Sequence, residues 1–140
     1  MSLSEIIAFS SSGICLMIGL LTGTWKYFAI MKSENHQAPV YVDIAHRASL
    51  MYAFACIVLL EFARISDLDE LTEAISTLLP VAFFLIAIFT YILLGISNHT
   101  DNQFKQKNLI TTWGMYLLIA GEIGGFGVLM YGAFRVICLQ

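Results

Sequence analysis

The chain alternates between four long apolar stretches and three short polar connections. The apolar stretches cover residues 6–31, 44–63, 75–96 and 110–137. Each supplies the roughly 20 residues that a helix needs to cross about 30 Å of hydrocarbon. The period-two alternation of a strand is absent, and helices satisfy every backbone amide inside lipid. The pattern therefore predicts an all-α fold, an integral membrane four-helix bundle that forms one domain over residues 1–140.

Composition and cysteine usage agree with a membrane protein. The chain is 59% hydrophobic and 12% charged, whereas a soluble domain is about a quarter charged. No basic residue precedes the first stretch, so we expect a retained span rather than a cleaved signal peptide. Cys15, Cys56 and Cys138 lack the spacing of a metal site and are expected to be small buried hydrophobes. No basic tract indicates nucleic acid as a partner.

Basic residues are distributed unequally between the two ends of the predicted bundle. Two basic residues lie on one side, Arg64 and Arg135. Five lie on the other side, Lys26, Lys32, Arg47, Lys105 and Lys107. Because basic residues favour the cytoplasmic side, we expect loops 32–43 and 97–109 in the cytoplasm and both termini outside. The expected location is a bacterial inner membrane.

Glycines and one proline give the helices local features. Gly19 and Gly23 in the first helix, and Gly121 and Gly125 in the fourth, have the spacing that lets helix backbones approach closely. They are expected to pack against neighbouring helices or other subunits, although glycine is also common in membrane helices without such a role. Pro80 is predicted in the first turns of the third helix, where proline costs little.

Ionisable residues inside hydrocarbon are informative because each costs about 3 kcal/mol or more there. Glu122, halfway along the fourth stretch, is expected to face the bundle interior as a structural carboxyl that is protonated or hydrogen-bonded to another helix, in preference to a direct chemical role. Lys26 is expected to extend its charged end toward the interface. Glu61 precedes Arg64 by one turn and is assigned to the opposite interface.

His46, at the head of the second helix, is the strongest candidate for chemistry. Asp43 lies three residues earlier and is expected on the same face. A carboxylate there can fix the tautomer of an imidazole, as it does for metal-bound histidines. The alternative is an interfacial histidine hydrogen-bonded to a loop carbonyl. His36 and His99 fall in polar loops and are expected to be solvated.

One intramembrane histidine limits the cofactors that the chain can hold. Zinc or copper sites need three or four protein ligands. A haem needs only one axial histidine, and the sixth position then stays open for chemistry. Several aromatic residues are available to line such a group, although those at helix ends are usually interface anchors: Trp25, Tyr27, Tyr52, Phe54, Tyr91, Trp113 and Tyr116.

Short segments along most of the chain resemble the small four-helix membrane proteins of the styrene oxide isomerase and hydroxylaminobenzene mutase type. They are Gly23, Ala45-His46, Ser97-Asn98, Asn102-Gln103-Phe104, Phe126-Gly127-Val128-Leu129 and Gly132-Ala133. The resemblance implies a homotrimer with haem b at the subunit interfaces and His46 as the axial ligand. It also implies that ferric haem acts as a Lewis acid, which opens an epoxide so that a hydride shift gives the aldehyde without net redox.

The sequence departs from the isomerase pattern at two positions. Tyr52 stands where the isomerases place a substrate-holding asparagine, six residues after the histidine. Their third-helix tyrosine aligns with Leu94, and the nearest tyrosine is Tyr91, one turn earlier. We therefore expect Tyr52 and Tyr91 as catalytic residues. The expected cofactor-binding residues are His46, Asp43, Arg47 and Asn98, with His46 as the metal ligand.

The first functional hypothesis is a haem b-dependent isomerase or mutase acting on a small apolar substrate that partitions from the lipid bilayer. The second is a non-catalytic membrane haem protein for electron transfer or gas sensing, whose second axial ligand comes from another chain. The third is an accessory subunit of a larger membrane complex.

Overall fold

The computed structural model describes residues 1–105 and 107–138, with only the backbone of Ile110. Its helices are α1 (Leu3–Lys32), α2 (Val40–Ile65), α3 (Glu70–Ser97) and α4 (Met115–Cys138), and a π-helical turn, Ile110–Gly114, leads into α4. Four helical segments are long and apolar enough to cross a membrane. The predicted all-α architecture is therefore confirmed, and α3 begins five residues before the apolar stretch that predicts it.

Polar side chains begin and end several of these helices. The Ser2 hydroxyl accepts a hydrogen bond from the Glu5 amide at the start of α1, and Asp69 caps α3 by accepting from the Thr72 amide. Hydrogen bonds from the Thr72 hydroxyl and amide lower the pKa of Asp69 below its ordinary range. Asn98 ends α3 with φ 45°, a left-handed conformation that asparagine tolerates better than most residues.

The glycine pair of α1 lies in the contact between α1 and α2. A Cβ atom on Gly19 would be 2.6 Å from Cδ2 of Leu50, and a Cβ atom on Gly23 would be 2.7 Å from Cε1 of His46. Neither distance is possible for a real side chain without movement of its neighbour. The prediction that Gly19 and Gly23 allow close helix packing is therefore confirmed, within one chain.

The glycine pair of α4 packs in the same way against α3. A Cβ atom on Gly121 would overlap the Phe83 ring, and one on Gly125 would lie 2.7 Å from Pro80 Cδ and 2.7 Å from the Ser76 carbonyl oxygen. The prediction that Pro80 lies in the first turns of α3 is wrong, because α3 begins at Glu70 and Pro80 is in its interior. Pro80 has no N–H, so it cannot donate to the Ser76 carbonyl one turn earlier.

A core of apolar side chains joins α1, α2, α3 and α4. Cys56, Leu59, Phe84 and Leu129 are among its buried members. Cys15 of α1 and Cys56 of α2 are both fully buried. Burial of these two cysteines is confirmed. The prediction of burial is wrong for the third cysteine, Cys138, which is exposed at the end of α4.

The outer surface of the bundle is rich in large exposed apolar residues, as a lipid-facing surface requires. At one end, the Tyr41 hydroxyl accepts a 2.6 Å hydrogen bond from the Gln103 amide, so the first turn of α2, directly after the α1–α2 connection, meets the α3–α4 connection there. At the opposite end, Arg135 forms a 3.2 Å ion pair with Asp67. The two basic loops therefore share one end of the molecule.

Candidate functional site

The imidazole of His46 is held by a backbone carbonyl of the neighbouring helix. His46 Nδ1 lies 2.8 Å from the Gly19 carbonyl oxygen. A carbonyl only accepts, so this contact assigns the proton to Nδ1 and leaves the lone pair of the neutral ring on Nε2. The predicted Asp43 partner is wrong in detail, because the Gly19 carbonyl takes the orienting role. The alternative prediction, a hydrogen bond from His46 to a loop carbonyl, is also wrong in detail, because the carbonyl belongs to Gly19 inside α1.

Gly23 provides the space in which the imidazole lies. Besides its 2.7 Å approach to Cε1, a Cβ atom there would be 2.9 Å from Nδ1 and 3.5 Å from Nε2 of His46. By contrast, a Cβ atom on Gly13, in the same helix, would meet nothing within 4 Å. The ring is thus positioned by two features of α1, a carbonyl that orients it and a missing side chain that makes room for it.

Asp43 is engaged by two cations rather than by the imidazole. Lys26 Nζ lies 2.6 Å from one carboxylate oxygen of Asp43, and an Arg47 guanidinium nitrogen lies 2.9 Å from the other. Lys26 was expected to extend toward the interface, and the structure pairs it with α2 instead. This ion-paired cluster ties α1 to α2 beside the cytoplasmic end predicted from the loops, and Arg47 keeps an outward position.

His46 is half-buried at the outer margin of the α1–α2 contact. Helical spacing places Phe54 two turns further along this side of α2, and Leu20 and Tyr27 on either side of Gly23 in α1. These three side chains are exposed by 78%, 57% and 58%. A planar apolar group reaching the histidine from outside would therefore meet an apolar surface.

The two predicted catalytic tyrosines lie elsewhere in the bundle. Tyr52 follows His46 by six residues, which turns it about 240° around α2 toward the core. Tyr52 and Tyr91 line a cavity of about 360 Å³ between α2, α3 and α4, which we call the tyrosine cavity. His46 is not among its lining residues. Within one chain, the structure thus brings the tyrosines together and separates them from the histidine.

The polar loop 98–109 forms one wall of the tyrosine cavity through Gln103 and Phe104. Tyr41 fixes this wall, because its hydroxyl binds the Gln103 amide and its ring stacks on Tyr91 with a centroid distance of 6.1 Å. Nothing in the local sequence marks Tyr41 for this role. Asn98, predicted to bind a cofactor, has an exposed position at the end of α3, where its backbone caps the helix.

Glu122 faces the interior of the bundle, as predicted. Of the two expected states, a protonated carboxyl or a hydrogen bond to another helix, the hydrogen bond is not formed among the residues that the structure describes. Its Oε1 atom is buried and has no hydrogen-bond partner in the described part of the chain. The carboxyl borders a second cavity of about 440 Å³ between α2, α3 and α4. The predicted Glu61–Arg64 pair on the opposite interface is confirmed at 2.8 Å.

A further buried carboxyl, that of Glu73, lies in the first turn of α3. It is 7% exposed, and its Oε1 accepts hydrogen bonds from the hydroxyls of Ser2, which caps α1, and Ser4, in the first turn of α1. Acidic residues are ordinary in the first turn of a helix, so Glu73 carries no sequence signal of burial. Its partners satisfy it, which indicates a structural link between α1 and α3.

Among residues 1–105 and 107–138, no three His, Cys, Asp or Glu side chains are grouped so that they could hold a metal ion. The donor that this site offers to a cofactor is one imidazole nitrogen with a fixed tautomer. Comparisons of the chain with protein-family models, with curated proteins and with solved structures found no match.

Proposed function

We propose that this protein is a haem b-dependent membrane isomerase or mutase in which His46 is the axial ligand. The observation that supports this proposal most strongly is the 2.8 Å contact between His46 Nδ1 and the Gly19 carbonyl oxygen. Ligating histidines commonly donate the ring N–H that does not face the metal to a carbonyl or carboxylate, which fixes the ring orientation and raises ligand basicity.

The residues around His46 fit a porphyrin by their chemistry. Gly23 leaves the space beside the imidazole that any side chain would fill. Lys26 and Arg47 are the cations that would pair with the carboxylates of the group, next to Asp43, which holds both of them. The exposed apolar side chains on either side of the histidine would cover the macrocycle. Asn98, at the same end of the bundle, is proposed to bind the cofactor together with His46, Asp43 and Arg47.

Ferric haem, if bound, would supply Lewis acidity toward the oxygen of an epoxide or a similar small apolar substrate, without net redox. The chain itself contributes the fixed imidazole, and the exposed apolar side chains beside it would exclude water once the group is bound, which strengthens electrostatic stabilisation. The substrate reaches the site from the lipid. Because Tyr52 and Tyr91 line a cavity that does not include His46, their proposed roles as substrate-positioning catalytic residues require a neighbouring copy of the chain.

We therefore propose a homotrimer, in which the outer α1–α2 margin of one protomer meets the next. The proposed location is a bacterial inner membrane, with loops 32–43 and 97–109 in the cytoplasm. The shared position of the two basic loops at one end supports this orientation, because positively charged loops are retained on the cytoplasmic side.

The absorption spectrum of the purified protein in its ferric and ferrous forms tests the proposal. We expect a Soret band and a five-coordinate, high-spin ferric spectrum, since the described membrane helices offer no second histidine. Conversion of an aryl epoxide to its aldehyde, without added reductant or oxidant, would then test the reaction. A six-coordinate, low-spin spectrum would instead indicate electron transfer or sensing. Protein expressed with ample haem and purified without a Soret band would refute the haem proposal and leave the accessory-subunit hypothesis.

Gly23→Ala tests whether the space beside His46 matters for the cofactor. The added methyl group would lie 2.7 Å from Cε1, so the ring must tilt away from the Gly19 carbonyl. We expect haem affinity to fall by about tenfold, as it does when an orienting partner of a metal ligand is lost. Haem titration of the apoprotein measures this, with Gly13→Ala as the control in the same helix. Equal affinities of the two variants would contradict the proposed role of Gly23.

A further inference from the structure

The carboxyl group of Glu122 places a buried oxygen atom inside the membrane part of the bundle. In residues 1–105 and 107–138, its Oε1 is the one buried side-chain nitrogen or oxygen atom without a hydrogen-bond partner. Buried polar groups are nearly always paired, because an unpaired one loses its interactions with water and gains nothing in return. An unpaired acceptor at this depth therefore points to a partner that is not part of the chain.

Glu122 borders the 440 Å³ cavity, which we call the Glu122 cavity. This volume falls within the roughly 300–1,000 Å³ range of small-molecule sites. The other lining side chains are apolar, with Phe84 and Phe126 the largest. A Cβ atom on Gly127, which also lines the cavity, would meet nothing within 4 Å, so this position borders open space. The site is thus an apolar cavity with one polar side chain, that of Glu122.

The cavity opens toward the lipid rather than toward either loop region. Three of its lining residues have substantially exposed side chains on the outer surface of the bundle: Val58, Ile123 and Met130. The stacked rings of Tyr52 and Phe84, 4.3 Å apart, lie between this cavity and the tyrosine cavity. A ligand would therefore reach Glu122 sideways from the bilayer, without passing the His46 site.

Hard cations such as Ca²⁺ and Mg²⁺ bind six or more oxygen ligands. The Glu122 cavity offers one carboxyl group among apolar side chains, so such a cation does not match it. The matching ligand is mostly apolar and brings one hydrogen-bond donor. A hydroxyl group is such a donor, and it crosses hydrocarbon without carrying a charge.

We propose that the Glu122 cavity binds a small apolar alcohol or phenol, which enters from the lipid and donates a hydrogen bond to Glu122 Oε1. This binding site is separate from His46 and does not depend on haem. The cavity's apolar walls would hold the carbon skeleton of the ligand, and Glu122 would select molecules with a hydroxyl group over those without one.

Equilibrium dialysis of the protein in lipid nanodiscs, with empty nanodiscs subtracted, tests this with two matched probes. We expect saturable binding of 2-naphthol that is about tenfold tighter than binding of 2-methoxynaphthalene, which lacks the donor. Equal affinities, or uptake no greater than that of empty nanodiscs, would overturn the proposal. This comparison uses the unaltered protein, so it stays decisive even where a variant fails to fold.

Two substitutions then locate the bound probe. Gly127→Leu places a side chain in the cavity, and we expect saturable naphthol binding to be lost. Gly124→Leu adds the same side chain one turn away, at a position that is also open but does not line the cavity, and binding should be unchanged. Glu122→Met should reduce the preference for naphthol over its methyl ether to about one. Naphthol binding that survives Gly127→Leu with unchanged affinity would contradict the assigned location.

Discussion

Replacing His46 with alanine is expected to reduce bound haem from about one per chain to near zero. The substitution removes Nε2, the single ligand nitrogen that the proposed site offers, while the Gly19 carbonyl that orients the ring stays in place. The Soret absorbance per mole of purified protein measures the loss of haem. We expect this loss to exceed the roughly tenfold to hundredfold decrease in metal affinity that is typical when a hydrogen-bond partner of a ligand is removed.

Two controls separate loss of the ligand from loss of the fold. His99→Ala removes an exposed loop imidazole whose Nδ1 bonds to the Ser97 hydroxyl, and we expect its haem content to match that of the unaltered protein. Added imidazole should restore a Soret band to His46→Gly, because the free base can occupy the vacated space beside Gly23. Undiminished haem in His46→Ala would show that another residue is the ligand.

Gly125→Ala is expected to cause the largest loss of stability among single-methyl additions to α4. The new Cβ would lie 2.7 Å from the Ser76 carbonyl oxygen and from Pro80 Cδ. A backbone atom and a proline ring cannot rotate aside, so α4 would have to move away from α3. Overpacking of this kind costs about 1–3 kcal/mol, which corresponds to a melting temperature lower by roughly 3–10 °C for a chain of this size.

Thermal unfolding in one detergent measures the effect, and Gly124→Ala is its matched control. Gly124 is the preceding residue of the same helix, and a Cβ there would meet nothing within 4 Å. Alanine is the better helix former by about 1 kcal/mol, so this variant should be as stable as the parent chain or slightly more so. Equal destabilisation by the two substitutions would mean that α4 does not approach α3 as closely as the structure indicates.

The sequence by itself determined the four spans and indicated, without deciding it, the close approach of the helix pairs. Length and apolar composition suffice for the spans, because lipid accepts only segments that pair all their backbone groups internally. The close packing of Gly19 and Gly125 was also predictable, since small residues at four-residue spacing occupy one face of a helix. The interior position of Glu122 followed from the cost of a carboxyl in hydrocarbon.

Only the tertiary structure decided which groups meet. Asp43 has the right spacing to hold His46, yet Lys26 from α1 reaches it at 2.6 Å, and an ion pair outcompetes a neutral imidazole for a carboxylate. Tyr52 and His46 share a helix but face different neighbours, because six residues correspond to one and two-thirds turns. The unpaired Oε1 of Glu122 depends on atoms from three helices. Spacing along a chain fixes the face that a side chain occupies, whereas its partners depend on how separate helices are rotated and shifted against one another.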